Sequence, residues 1–272
     1  MTATLGPGRA RGLGRTRRFR RIPAYSPTVD EDPRRLPPAR ARHQRVRTVL
    51  PPADLAGFVE RFWIVDWHYD RPYRQKVVPY PQVHLTVQPG AAAMLAGPAT
   101  RYVHRELTGT GRVVGAALRA GTARALVGAP VSTVTDRRCP VAGVVAADVN
   151  GLTDHLRARL PADGPDRAAA QARDLVATVA GDRSLVRVDD LARDSATSVR
   201  SLQRLFHDHV GVGPKWVIRR YRLHEVTELM AAGVPVRWAE VAADLGYADQ
   251  AHLSRDFTRM FGEPPTSYAR RY

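Results

Sequence analysis

One stretch near the C-terminus occurs twice, 51 residues apart. The first copy runs Leu202-Gln203-Arg204-Leu205-Phe206 and continues to Gly211 and Pro214. The second runs Leu253-Ser254-Arg255-Asp256-Phe257 and continues to Gly262 and Pro265. Leu, Arg, Phe, Gly and Pro recur at a constant offset, and upstream Leu191-Ala192 answers Val241-Ala242 with one residue inserted in the turn. Each copy reads as a helix-turn-helix. Two such units in a chain of 272 residues imply a bipartite reader of duplex DNA.

In the first unit, Val188 to Asp194 reads as a short supporting helix with Leu191 and Ala192 inward. Ser198 suits the N-cap of the second helix, where its hydroxyl can take a free backbone N–H. Val199, Leu202, Phe206 and Val210 then form a buried stripe, and Arg200, Gln203, Arg204 and His207 present the opposite face at i, i+3, i+4 and i+7. Arginine pairs bidentately with guanine and glutamine with adenine in the major groove. A solvated polar face is the plainer reading of those four, and the repeat favours DNA contact over it. In the second unit, Ala239 to Leu245 supports and Gly246 makes the turn, while Leu253, Phe257 and Phe261 face inward. Shifting the reading face by 51 gives Ala251, Ser254, Arg255 and Thr258, with Gln250 and His252 near the helix start. Arg255 alone of the shifted four is long enough for bidentate contact, so the first unit is expected to carry more sequence specificity.

Between the units, Pro214 to about Ala231 reads as one helix with Pro in its first turn and a stop at Gly233. Its expected apolar contacts are Val217, Ile218, Tyr221, Val226 and Leu229. A helix of that length spans roughly 25 Å. Added to the helix radii, that suits two readers placed in major grooves about 34 Å apart. Ahead of the units, Asp166 to Val179 reads as a helix opened by a capping carboxylate, with Leu175, Val176 and Val179 inward.

The rest of the chain divides by composition. Residues 1–50 carry net charge +10, are rich in Gly, Pro and Arg, and read as a disordered basic tail. The tail is either an arm that attracts phosphates or an unstructured extension. Residues 51–160 read as a mixed domain, α+β or barrel-like. Leu55, Phe58, Val59 and Phe62 fit a short helix, and strands follow at Trp63 to Trp67, at Val83-Leu85-Val87 and at Arg112 to Leu118. Thr122 to Val127 reads as a short helix stopped by Gly128, and Val144 to Leu160 as a helical stretch broken by Gly151. Residues 161–168 are a linker, and 169–272 are an all-α domain of two helix-turn-helix units joined by a linker helix. The fold class is therefore α+β followed by all-α.

Net charge is +16 overall but only +3 over residues 167–272, so the repeat argues for DNA more strongly than the charge does. A single cysteine, Cys139, excludes an intramolecular disulfide framework and fits a reducing cytosol. The run Val113 to Val127 contains Arg119 and Arg124 and cannot span a bilayer. The expectation is a soluble cytoplasmic protein, at the nucleoid when bound to DNA. Cys139 lacks a second cysteine, His207 and His209 diverge by about 200° on a helix, and no Gly-rich phosphate loop is present. The chain is accordingly read as a non-enzyme with no cofactor and no metal.

Residues 169–272 resemble the DNA-binding module of AraC/XylS-type transcriptional regulators. The resemblance rests on Leu202-Gln203-Arg204-Leu205-Phe206, Gly211 to Pro214, Arg222-Leu223, Val241-Ala242, Gly246-Tyr247, Asp249 to His252, Phe257, Phe261-Gly262 and Pro265. It implies base contacts by Arg200, Gln203 and Arg204 in the first recognition helix and by Ala251, Ser254 and Arg255 in the second. The chain departs from the family at Ser195-Ala196, where an apolar residue and then glycine are usual. It departs again at Ala248, which leaves Asp249 as cap, and at Ala251, a commonly polar position. Residues 51–160 resemble a poorly characterised domain that precedes this module in actinobacterial regulators. The cues are Phe62-Trp63, Val78-Pro79, Val83 to Leu85, Val114-Gly115 and Leu118 to Gly121. Such domains sense a small molecule, dimerise, or both. Trp63, Trp67, Tyr69, Tyr80 and His84 are the candidate pocket residues, the alternative being that they fill a small core. The resemblance implies a sequence-specific regulator, often an activator that contacts RNA polymerase, acting as monomer or homodimer. The rival class is a nonspecific architectural DNA binder aided by the arginine tail.

Overall fold

A computed structural model describes residues 43–233 and 235–270. Six strands form one antiparallel sheet: β1 (Gln44–Val49), β2 (Val59–Val77), β3 (His84–Val87), β4 (Ala93–Ala96), β5 (Val103–Leu118) and β6 (Arg138–Val141), in the order β1-β2-β5-β3-β4-β6. Alternation along the strands sends Phe62, Leu85, Val114, Ala116 and Leu118 to one face, where Leu152 and Leu156 of helix α2 (Val149–Arg157) close a core. The opposite face, carrying Trp63, His84 and Val113, lines a cavity. Two glycines of β5 flatten that face. Gly115 pairs with Trp63 and Gly111 with Trp67, and a Cβ on either would come within 2.2 Å of the facing indole.

Four local expectations differ from the structure, three through long-range strand pairing and one through packing. Residues 55–62 are not a helix: residues 53–58 are turns, with Phe58 N donating to Leu55 O, and Val59 opens β2. A run with Leu, Phe and Val fits either period, and β5 supplies the strand partner. The strands expected at Trp63 to Trp67 and Arg112 to Leu118 are each the middle or end of a much longer strand, 19 and 16 residues. β1 lies within the stretch expected to be tail, held by pairing Gln44↔Trp67 to Val49↔Phe62; the remainder of that stretch lies outside the described residues. Gly151 does not break a helix. It sits inside α2, where a Cβ would meet Ala146 O at 2.2 Å, so glycine permits the loop to pack there. Short helix α1 (Arg124–Val127) ends as expected at Gly128, φ +71°.

The remainder is helical: α3 (Arg167–Gly181), α4 (Val188–Asp194), α5 (Val199–His209), α6 (Pro214–Ala231), α7 (Trp238–Asp244), α8 (Gln250–Phe261) and α9 (Pro265–Ala269). The Asp166 carboxylate caps α3 by accepting from Ala169 N at 2.7 Å. Two cores result. Leu175, Val176 and Val179 of α3 join Leu191, Leu202, Phe206 and Val210 in the first. Val241, Leu245, Leu253, Phe257 and Phe261 make the second. Helix α6 enters both, giving Val217 and Ile218 to the first and Leu223, Val226 and Met230 to the second. Among the described residues no helix is long and apolar enough to cross a membrane.

Candidate DNA-binding interface

Each unit is built alike. In the first, Ser198 caps α5, its hydroxyl accepting from Ser201 N at 3.1 Å. In the second, Asp249 caps α8, its carboxylate accepting from His252 N at 2.6 Å. The turns match as well: Thr197 N donates to Ala192 O at 2.9 Å and Tyr247 N to Ala242 O at 2.8 Å. The residue before each donor is left-handed, Ala196 at φ +49° and Gly246 at φ +71°. With the stripes Leu202-Phe206 and Leu253-Phe257 buried, the other faces are turned outward. Ser198, Arg200, Gln203, Arg204 and His207 of the first unit are exposed, as are Gln250, Ala251 and Arg255 of the second; Ser254 and His252 are half-buried. The His252 ring lies edge-on to Tyr247 at 5.1 Å, which ties it to the turn.

The N-terminal domain touches both units at equivalent places, just beyond the recognition helices. Thr135 Oγ1 donates to Gly211 O at 2.6 Å, and Arg124 pairs with Asp208 at 3.5 Å. In the second unit Tyr102 N donates to Arg259 O at 3.3 Å, and Lys76 pairs with Glu263 at 3.0 Å. Gly211 and Gly262 are the repeated glycines, at φ +84° and +82°. A Cβ on Gly211 would press on Val131 and Thr135, and one on Gly262 on Lys76 and Tyr102. This docking leaves the first halves of α5 and α8 uncovered. His207 falls on its edge: it bonds Ser132 Oγ at 2.9 Å and Asp208 at 3.0 Å, so its ring already has protein partners.

Two arginines of α6, Arg219 and Arg220, escaped the sequence reading, and Arg222 entered it only as part of the resemblance, although three arginines within four residues of one helix were a visible signal. Arg219 pairs with Asp256 of α8 at 2.8 Å and lies 5.1 Å from the Tyr247 ring centroid, fixing the second reader to the linker helix. Arg222 donates from Nη1 to Asp182 O at 2.8 Å and from Nη2 to Val179 O, taking the free carbonyls at the end of α3. Arg220 is fully buried. Its Nε donates to Pro79 O and its guanidinium lies 4.0 Å from the Tyr80 ring centroid. Burial pushes Glu225 up to about 7 against the pull of Arg222 and Arg183. Burial, aided by Arg220 and Arg183, holds His224 down to about 3.

The cavity of about 480 Å³ on the open sheet face is lined by Trp63, Tyr80 and His84 among the expected pocket residues, and Trp63 Nε1 lies 3.3 Å from His84 Nδ1. Trp67 and Tyr69 lie farther along β2 and do not line it. The Trp67 indole donates to Thr108 O at 3.2 Å, and Tyr69 stacks on Tyr73 at 4.7 Å.

Paired helix-turn-helix units on a shared linker helix define a DNA-binding module. Residues 191–271 match the family described as helix-turn-helix domain, and residues 47–140 match the family described as domain of unknown function (DUF6597). By these matches the C-terminal module is similar to AraC-type helix-turn-helix domains, and the strand domain is similar to that second family. The HTH-type transcriptional regulator GlxA of Rhizobium meliloti (strain 1021) is 36% identical over 81 residues, covering 30% of this chain and 25% of that protein. The chain therefore spans about a quarter of the length of that curated relative. Among solved structures, the C-terminal domain of AraT, a response regulator from Geobacillus stearothermophilus, is 20% identical with TM-score 0.34, covering 39% of this chain and 89% of that one. ToxT from Vibrio cholerae is 11% identical with TM-score 0.36, covering 84% of this chain and 98% of that one.

Proposed function

We propose that the protein is a sequence-specific transcriptional regulator that sets α5 and α8 into successive major grooves on one face of a duplex. Arg200, Gln203 and Arg204 read bases from the first helix, and Arg255, aided by Ser254 and Gln250, from the second. Ser198 and His252 sit where phosphates or bases pass, and Ala251 adds apolar contact only. The observation that carries this reading is the exposure of two repeat-equivalent arginine faces on helices anchored through one linker helix. Its 18 residues extend about 27 Å at 1.5 Å each. DNA bending supplies the small remainder up to the groove spacing, at a cost of a few kcal/mol. The N-terminal domain carries control by a small-molecule effector. Its cavity wall at Val78–Tyr80 is also the segment that meets α6 through Arg220 and the second core through Val78. One chain holds both readers, so a monomer suffices for binding.

Binding to genomic fragments near physiological salt with excess competitor DNA tests the reading. Discrete protected sites of about 17–20 base pairs are expected, two grooves' worth. Uniform coverage that vanishes with salt would instead mark an architectural binder driven by the basic tail.

A further inference from the structure

The cavity has a cationic end that the regulator reading does not use. Arg105 of β5 and Arg138 of β6 both line it. Arg105 is half-buried, and burial together with the Arg138 charge lowers its pKa from the ordinary arginine range. No carboxylate among the described residues forms an ion pair with either side chain, and only a like charge acts on Arg105. Glu106 reaches the rim, but alternation along β5 puts its exposed side chain on the other face of the sheet. A guanidinium drawn partly out of water beside a second one is unfavourable until an anion joins them. The surface between Trp63, Val65 and Val113 is apolar, and the volume lies within the range of small-molecule sites.

We propose that this cavity binds an organic acid, with its carboxylate held between Arg105 and Arg138 and its apolar body against Trp63, Val65 and Val113. Guanidinium forks match a carboxylate bidentately, so one head group satisfies both arginines. The proposal names the ligand class for the effector control suggested above, and rests on that reading only for its regulatory meaning. Binding itself is measured without DNA, so a failed footprint and an empty cavity are separate results.

The test uses two fluorescent probes of one ring skeleton, anilinonaphthalene sulfonate and neutral phenylnaphthylamine, titrated into the full chain. The anionic probe is expected to bind about tenfold more tightly. Arg105→Gln with Arg138→Gln removes that preference and leaves the neutral probe unchanged within about twofold, which also reports an intact cavity. Arg138→Gln alone, at an exposed position, loses about half the preference in free energy, roughly threefold in affinity. Val113→Trp blocks both probes. Indole acetate displaces the anionic probe, while indole acetamide and inorganic phosphate do not. Equal affinity of the two probes for the unaltered protein, a preference that survives both arginine changes, binding that ignores Val113→Trp, or displacement by phosphate as readily as by indole acetate would each overturn the proposal.

Discussion

Ala196 is a residue in a glycine's place. Its φ of +49° puts a Cβ in the left-handed region, whereas its counterpart in the second turn is Gly246. The left-handed form costs about 1–2 kcal/mol for a residue with a side chain. Ala196→Gly is therefore expected to stabilise the protein by about 1 kcal/mol, part of the gain being offset by a freer unfolded chain. Denaturant midpoints measure it; a destabilised variant would mean the turn needs the methyl group. His224 provides a second test at this scale. It is neutral in the fold, with a pKa near 3 rather than 6.5. A depressed base contributes stability above pH 6.5 that is lost as pH falls toward 3. Glu225, raised to about 7, works in the opposite sense, its contribution fully present below about 4.5 and lost as pH rises through 7. The melting temperature of His224→Gln relative to the parent isolates the histidine. The parent's advantage should shrink from pH 7 to pH 4.5, and a constant difference would contradict a buried neutral imidazole. At the interface, Arg204→Lys keeps the charge and loses the fork. It should relax base preference by about 1–3 kcal/mol with little change in the salt slope.

At the scale of elements, α6 does more than space the readers. Arg219 holds Asp256 in α8 while Arg222 closes the end of α3, so the linker helix fixes orientation as well as distance. Arg219→Ala should cost about 1 kcal/mol or less in stability, since both partners remain partly exposed. Its effect should appear instead as weaker protection of the half-site read by α8 alone; equal weakening of both halves would remove Arg219 from this role. Helices α3 to α8 were legible because their signals are local: Asp166, Ser198 and Asp249 as caps, Leu202-Phe206 and Leu253-Phe257 as stripes, Gly233 as a stop. Residues 55–62 were not legible, because Leu55, Phe58, Val59 and Phe62 satisfy more than one reading and only pairing with β5 decides between them. β1 was hidden for the same reason, its partner lying about twenty residues downstream in β2. Three of the aromatic pocket residues line the cavity and two do not. A side chain's position along a 19-residue strand, unlike its face, cannot be read from alternation.

For the whole molecule, the domain arrangement follows the internal repeat. The sheet domain grips Gly211 and Gly262, the same position in each unit, and so acts as a brace across both readers. That contact gives the exposed His207 ring a partner in Ser132, which no pattern within α5 could announce. Lys76→Glu would set two carboxylates against each other at Glu263 and should loosen the brace on the second unit. Proteolysis between the domains should speed up in that variant, and an unchanged rate would argue against the brace. The central claim concerns geometry on DNA, and hydroxyl-radical footprinting of Arg204→Ala and Arg255→Ala on one bound site tests it most directly. The account expects two protected segments about 10 base pairs apart, the first lost with Arg204 and the second with Arg255. Loss of the same segment in both variants, or one unbroken protected stretch indifferent to either, would contradict it.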